Sequence, residues 1–230
     1  MNKKFFQKKL LETVKSTYST SNKNLLNLSN IKTFINMGYP ETLIKEISAE
    51  LMFAFPIAYP FKNVCTVNKT VGDFGCGAGI DSYIALKLSA SKIISTDLSF
   101  SFLKKINSKN VIKINADLNY LPFKNNYFDI IIMNGSLNLV YNKISLLERL
   151  NVIIKKNGLL IICDLIWCGY EKERELYKND INAWCWCTGG CLTDDELTEI
   201  AEKYNFKLIA KEEYEQIETL KRMRYIFKNE

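Results

Sequence analysis

A glycine-rich turn and three aspartates are the residues of this chain whose types and spacing best suit ligand binding. In VGDFGCGAGID an apolar run ends at Phe74, and Gly75, Gly77 and Gly79 precede a helical period, with Asp73 just before them. Glycine tolerates positive φ and lets a ligand approach the backbone, while a following helix N-terminus offers free N–H donors. Asp97 ends the next run in IISTDLS, where a carboxylate can accept both hydroxyls of a ribose. Asp117 is read as ending the third run in VIKINADLNYLPF, which puts it and the Leu118 backbone where an adenine would lie. Asn134 ends the fourth run, YFDIIIMNG, near the same crevice. Taken alone, the glycines equally suit a tight strand-to-helix turn; the acids that follow in order make it a candidate nucleotide-like site.

A second group of chemically capable residues is sulfur-rich. Seven cysteines include Cys185, Cys187 and Cys191 in WCWCTGGC, with Cys163 and Cys168 on the preceding strand end. They read either as a thiol site or as small buried hydrophobes interleaved with Trp184 and Trp186. The C-x-C-x-x-x-C spacing lacks the paired C-x-x-C of zinc sites and an evident fourth ligand, so no metal is expected. The chain has no histidine, which removes His-dependent triads and leaves proton transfer to Asp, Glu, Tyr, Lys or Cys. Asp164, read as ending the fifth strand, is a candidate acid/base or acceptor-binding group at the crevice edge. Trp184, Trp186, Tyr39 and Tyr59 either line an apolar pocket or pack the N-terminal segment.

Positioning these groups requires a sheet. Short Ile- and Val-rich runs near 70–74, 92–96, 111–115, 128–133 and 158–164 alternate with helical periods at 79–90, 99–107 and 143–155. Thr193 and Glu196 have capping-box spacing for a helix at 194–204, followed by two β-like runs near 206–213 and 222–227. The expectation is an α/β fold with a doubly wound, mostly parallel seven-stranded sheet. Residues 66–230 would form that domain, and 1–65 a helical extension packed on it. In the extension Phe6, Leu10 and Val14 recur at helical spacing, residues 19–30 are turn-like, and Pro40 suits the first turn of a second helix.

Composition narrows the classes. With 47% hydrophobic residues the chain can bury a sizeable core, and its net charge of +6 is spread over 31 basic and 25 acidic residues. No basic run interleaved with aromatics tracks phosphates, so nucleic acid is not expected as a partner. The basic start lacks a signal-peptide core, no run suits a membrane helix, and the unpaired thiols point to a reducing compartment, the cytoplasm. The sequence does not specify an oligomeric state.

The ordered series over about residues 67–165 resembles class I S-adenosylmethionine (SAM)-dependent methyltransferases. That resemblance implies that Asp73, Gly75, Gly77 and Gly79 cradle the methionine end, that Asp97 with Leu98 holds the ribose, and that Asp117 with Leu118 contacts the adenine, Asn134 lying close by. Gly72 departs from the bulky apolar residue usual there. A nicotinamide site fits worse, because the third glycine of G-x-G-x-x-G would be Ile80. Methyl transfer from a sulfonium mainly needs alignment, which can contribute about 7–11 kcal/mol, so a site without histidine suffices. MGYPETLIKEIS, NGSLNLVYNK and WCTGGCLTDDELTEIAEKYNF further resemble the arsenite methyltransferases. By that likeness Cys187 is retained from the arsenic-binding cysteines, whereas Gly135 and Ile57 or a neighbour stand where the others would be. The implied activity is transfer to a small-molecule acceptor, a thiol or trivalent arsenic centre, or otherwise an O, N or C centre; a SAM-binding protein without turnover is the alternative.

Overall fold

The computed structural model describes residues 3–19, 31–47, 51 and 56–230. The turn-like reading of 19–30 falls almost wholly outside the described residues. The described helices and strands are α1 (Lys3–Ser19), α2 (Ile31–Asn36), α3 (Glu41–Lys45), β1 (Thr70–Phe74), α4 (Ile80–Lys87), β2 (Lys92–Asp97), α5 (Phe100–Leu103), β3 (Val111–Asn115), β4 (Phe128–Asn134), a 3-10 turn (Leu137–Leu139), α6 (Lys143–Ile153), β5 (Ile154–Trp167), α7 (Glu171–Lys178), α8 (Ile181–Cys185), α9 (Asp194–Lys203), β6 (Phe206–Ile217) and β7 (Leu220–Asn229).

The strands form one sheet in the order β3-β2-β1-β4-β5-β7-β6. β1 to β5 pair in parallel and β7 runs antiparallel between β5 and β6, as expected for a mostly parallel seven-stranded sheet. Parallel strands need both faces covered. On one face Ile84 and Ala85 of α4 share a core with Val71, Ile93 and Ile130, and the N-terminal residues Phe34, Tyr39, Ile44 and Ile57 join it. On the other, Leu146, Leu147 and Leu150 of α6 and Leu197 of α9 pack on Ile94, Ile131 and Met133.

Local departures have physical causes. The helix expected over 99–107 stops at Leu103: Ser99 caps it, but the turn-forming Asn107–Asn110 must return the chain to β3. α6 ends at Ile153 because Ile154 already pairs with Phe128, so β5 starts earlier than 158. Pro40 is the N-cap of a helix, but α2 precedes it. A Cβ at Gly72 would come within 2.9 Å of the Phe74 and Phe128 rings. Those rings, with Phe123, form an aromatic cluster that takes the volume a bulky residue 72 would fill.

α1 does more than pack. Phe6, Leu10 and Val14 bury against Trp184 and Cys185, which lays the helix across the carboxyl ends of the central strands.

Candidate cofactor and acceptor site

β1 delivers the glycine turn, where Gly75, Gly77 and Gly79 all have positive φ. A Cβ at Gly75 would lie 2.3 Å from the Ser136 side chain, whereas one at Gly77 would meet nothing within 4 Å. Gly75 packs a neighbouring loop; Gly77 leaves bare backbone at a cavity of about 810 Å³. Asp97, at the end of β2, accepts the Gly77 N–H at 2.8 Å and the Ser99 N–H at 2.7 Å. Its carboxylate therefore holds the turn and keeps lone pairs for a ligand. Burial raises its pKa.

The cavity wall includes Gly75, Gly77, Asp97, Leu98, Asp117, Leu118 and Asn134, so the structure brings most of the sequence-predicted residues together. Asp117 lies two residues beyond the end of β3 instead of on it, and accepts from the backbone and side chain of Asn119. Asp73 and Gly79 are not on this wall. Asp73 is buried, accepts from Ser82 Oγ at 2.6 Å and borders a recess of about 60 Å³ with Asp81, Tyr39 and Asn134. Gly79 is the N-cap of α4. Burial, then the neighbouring Asp81, pushes Asp73 up to about 8, and burial takes Asp81 to about 6.

Asn134 is a junction. Its Nδ2 donates to Tyr39 Oη, Ala58 O and Asp81 Oδ2, tying the N-terminal segment to β4 and α4. Its buried Oδ1 has no hydrogen-bond partner among the described residues. An orphaned acceptor beside bare glycine backbone fits a ligand rich in donors, such as the ammonium-bearing end of SAM.

The opposite end of the cavity is built by distant segments: Ile57, Gly135, Leu165, Trp186, Cys187 and Arg222. Ile57, Gly135 and Cys187, the positions singled out by the arsenite methyltransferase resemblance, share this wall. A Cβ on Gly135 would sit 3.4 Å from Ile57 Cγ1, and the Cys187 thiol faces Gly135 O at 3.7 Å. Cys187 is nevertheless the one sulfur of the three. Burial, then Asp164 and Cys191, holds its thiol well above the usual range. Cys185 and Cys191 are also buried but do not line the cavity; the Cys191 thiol donates to Cys187 O. Among the described residues, no three His, Cys, Asp or Glu side chains group in a way that could hold a metal ion.

Asp164 corrects an expectation. It lies within β5, not at its end, is 1% exposed and is absent from the cavity wall. It accepts from the Asn138 backbone and side chain and the Leu165 N–H, fixing the 3-10 turn. Burial raises it to about 6, partly opposed by Lys143, itself lowered to about 8 by burial. Of the aromatic candidates, Trp186 lines the cavity, while Trp184 and Tyr59 are core and Tyr39 braces the recess. Sequence reasoning missed the cavity-facing side of α1, with Lys8, Leu11, Lys15 and Tyr18, and missed Arg222. The heptad-like recurrence of Lys8 and Lys15 was the available signal for the helix; Arg222 carried none.

Sheet order, crossovers and the glycine and acid series define the fold of SAM-dependent methyltransferases. Residues 72–162 match the family model described as a methyltransferase domain. The mitochondrial arginine-hydroxylase NDUFAF5 of Homo sapiens is 31% identical over 91 residues, covering 39% of this chain and 26% of the relative, and the Mus musculus protein matches equally. The chain thus matches about a quarter of the length of these relatives. The MccD protein superposes with a TM-score of 0.63 at 17% identity, over 76% of this chain and 96% of that one. The [4+2]-cyclase SpnF gives 0.61 at 13%, over 72% and 76%. An arsenic(III) SAM methyltransferase of Chlamydomonas reinhardtii gives 0.61 at 16%, over 86% and 72%. At such identities the structural likeness shows the fold alone. No helix among the described residues is long and apolar enough to cross a membrane.

Proposed function

We infer that the chain binds SAM and transfers its methyl group to a small acceptor, with a soft sulfur-like centre preferred over oxygen, nitrogen or carbon. The observation that carries this reading is a single cavity with the glycine turn, Asp97 and Asp117 at one end and Cys187 at the other. When bound, SAM supplies an electrophilic methyl on a sulfonium. Gly75 and Gly77 would hold the methionine end with Asn134 Oδ1, Asp97 and Leu98 the ribose, and Asp117 and Leu118 the adenine. Asp73 and Gly79 would shape the turn from behind. Among the described residues the carboxylates on the cavity wall are Asp97 and Asp117, at the cofactor end, and the Tyr18 phenol near Cys187 donates to Cys185 O with burial raising its pKa, so this end is better suited to align an acceptor and exclude water than to deprotonate an alcohol. That favours an acceptor whose lone pair is already available.

Cys187 would touch the acceptor as a neutral thiol, and Asp164 would position the 3-10 turn without touching substrate. A single thiol does not make a three-thiolate arsenic site. Seven free cysteines suit a reducing compartment, the cytoplasm in this reading. Residues 1–65 would serve as cover for a catalytic domain at 66–230. A second reading is SAM binding without methyl transfer, favoured by the match to a hydroxylase and the likeness to a cyclase.

Calorimetry with SAM, S-adenosylhomocysteine (SAH) and NAD, followed by labelled-methyl transfer to small thiols, arsenite, alcohols and amines, tests both. NAD binding without SAH binding would overturn the cofactor. SAH binding with no transfer to any acceptor would leave the second reading.

A further inference from the structure

We propose that the acceptor carries an anionic group, a carboxylate or phosphate, and that Arg222 is the residue that orients it. This rests on the methyl-transfer reading only for the word acceptor; the anion site itself stands on separate observations. Arg222 lies on β7 directly opposite Leu165 of β5, and both line the cavity. Its Nη1 donates to Pro56 O at 2.6 Å, and its Nε faces Glu215 Oε2 at 2.9 Å. The bond to Pro56 O and the ion pair with Glu215 hold the guanidinium at the cavity wall, although Nε makes no hydrogen bond of its own among the described residues. No partner for Nη2 is found among the described residues. A planar guanidinium whose Nη2 keeps unengaged N–H groups, in an apolar wall made by Ile57, Leu165 and Trp186, suits a carboxylate or phosphate oxygen.

The charges around the cavity point the same way. Among the described residues, its acidic lining residues are Asp97 and Asp117, both at the cofactor end. Its basic lining residues are Arg222 and, from α1, Lys4, Lys8 and Lys15. Lys8 and Lys15 form no salt bridge among the described residues. A cationic cover over a low-dielectric cleft raises the local concentration of anions and speeds their entry. Glu215 pairs with Arg222 on its Nε side, so an anionic acceptor would add a partner at Nη2 and not the first counter-charge.

The test uses the full chain with and without saturating SAH, and three probes of similar shape: phenylacetate, phenyl phosphate and neutral phenylacetamide. Ligand-observed NMR should show one or both anions bound at least about tenfold more tightly than the amide. Arg222→Met should lose that preference while SAH affinity stays unchanged, and Arg222→Lys should keep part of it. Which anion binds better distinguishes carboxylate from phosphate. Because Arg222 also braces Pro56, the exposed pair Lys8→Gln/Lys15→Gln serves as a second variant, weakening the anion by about two- to threefold without changing the melting curve. Equal binding of anions and amide, anion binding unaffected by Arg222→Met, or no probe binding at all would each overturn the proposal. Failure to bind SAH would instead sink the methyl-transfer reading, and the probes on the cofactor-free chain would still decide the anion site.

Discussion

The two ends of the cavity are built by opposite strategies. At the cofactor end a few consecutive residues at each of three strand ends do everything: the glycine turn after β1, Asp97 closing β2 and Asp117 just past β3. The turns are held by backbone hydrogen bonds within them and between neighbouring strand ends, as Asp97 is by Ser99 and Gly77 and Asp117 by Asn119. At the acceptor end Ile57, Gly135, Leu165, Cys187 and Arg222 come from segments far apart in the chain, and apolar packing places them. Local backbone geometry constrains residue type tightly; a packed wall asks only for volume, so its residues are freer to change with the substrate.

The sharpest way to break this contrast is to rebuild the acceptor wall. The double variant Ile57→Cys/Gly135→Cys would set two new thiols beside Cys187, and removing the isoleucine relieves the 3.4 Å approach to a Cβ at 135. Positive φ at residue 135 costs about 1–2 kcal/mol, which a protein of this size can absorb. Trivalent arsenite, titrated against intrinsic Trp fluorescence, should bind the double variant and leave the parent and both single variants unresponsive. Binding by the parent would mean that Cys187 has other sulfur partners.

At the cofactor end Asp97→Ala removes the acceptor of two backbone N–H groups as well as the proposed ribose contact. SAH affinity should fall by about 1–3 kcal/mol, roughly five- to 150-fold, by calorimetry. An unchanged affinity in a folded variant would take Asp97 out of the site. Cys187→Ser, the corresponding change at the acceptor end, should leave SAH binding intact, cost about 1–3 kcal/mol of stability through the buried hydroxyl, and abolish transfer to a soft acceptor. Full turnover per folded molecule would reduce Cys187 to core filling.

The buried pair behind the glycine turn gives a pH signature. The folded-state pKa of Asp73 is raised to about 8 by burial and by Asp81, itself raised to about 6, so both exceed ordinary carboxylate values near 4. Stability from these groups is fully present below the unfolded pKa and is lost as pH rises through the folded values. The melting temperature should therefore decline between about pH 4 and pH 8. Asp73→Asn, which keeps an acceptor for Ser82 Oγ, should flatten that decline, and an unchanged slope would place the titration elsewhere.

How far the sequence speaks follows the same division. The sheet and the glycine turn are legible because short Ile- and Val-rich runs, glycines and acids occur in one order along a continuous stretch. Asp164 misleads because the carboxyl end of a strand is read from where the apolar run pauses, while β5 continues to Trp167 and turns Asp164 towards Asn138. Arg222 is silent because an arginine in a β-run near the C-terminus looks like any solvated charge; only pairing with Leu165 brings it to the cavity. For α1 the periodicity of Phe6, Leu10 and Val14 marks the buried face, but no pattern within the helix says that its neighbouring face covers a ligand site.

The smallest expected effect concerns how the two ends are linked. Tyr18, near the end of α1, touches both: its backbone carbonyl accepts from Ser99 Oγ at 3.0 Å, two residues after Asp97, and its hydroxyl donates to Cys185 O at 2.7 Å, two residues before Cys187. Tyr18 also lines the cavity. Tyr18→Phe removes the hydroxyl bond alone, at a cost of about 1 kcal/mol, and leaves the Ser99 contact and the ring in place. If α1 is a cover pinned at both ends, freeing one pin should speed amide exchange in residues 3–19 and raise the SAH dissociation rate several-fold, with little change in exchange around the glycine turn. If exchange and dissociation both match the parent, then the cover is held by Phe6, Leu10 and Val14 against Trp184 and Cys185, and the hydroxyl only satisfies a carbonyl. Leu10→Ala, which cuts into that apolar contact, would then produce the loosening that Tyr18→Phe does not.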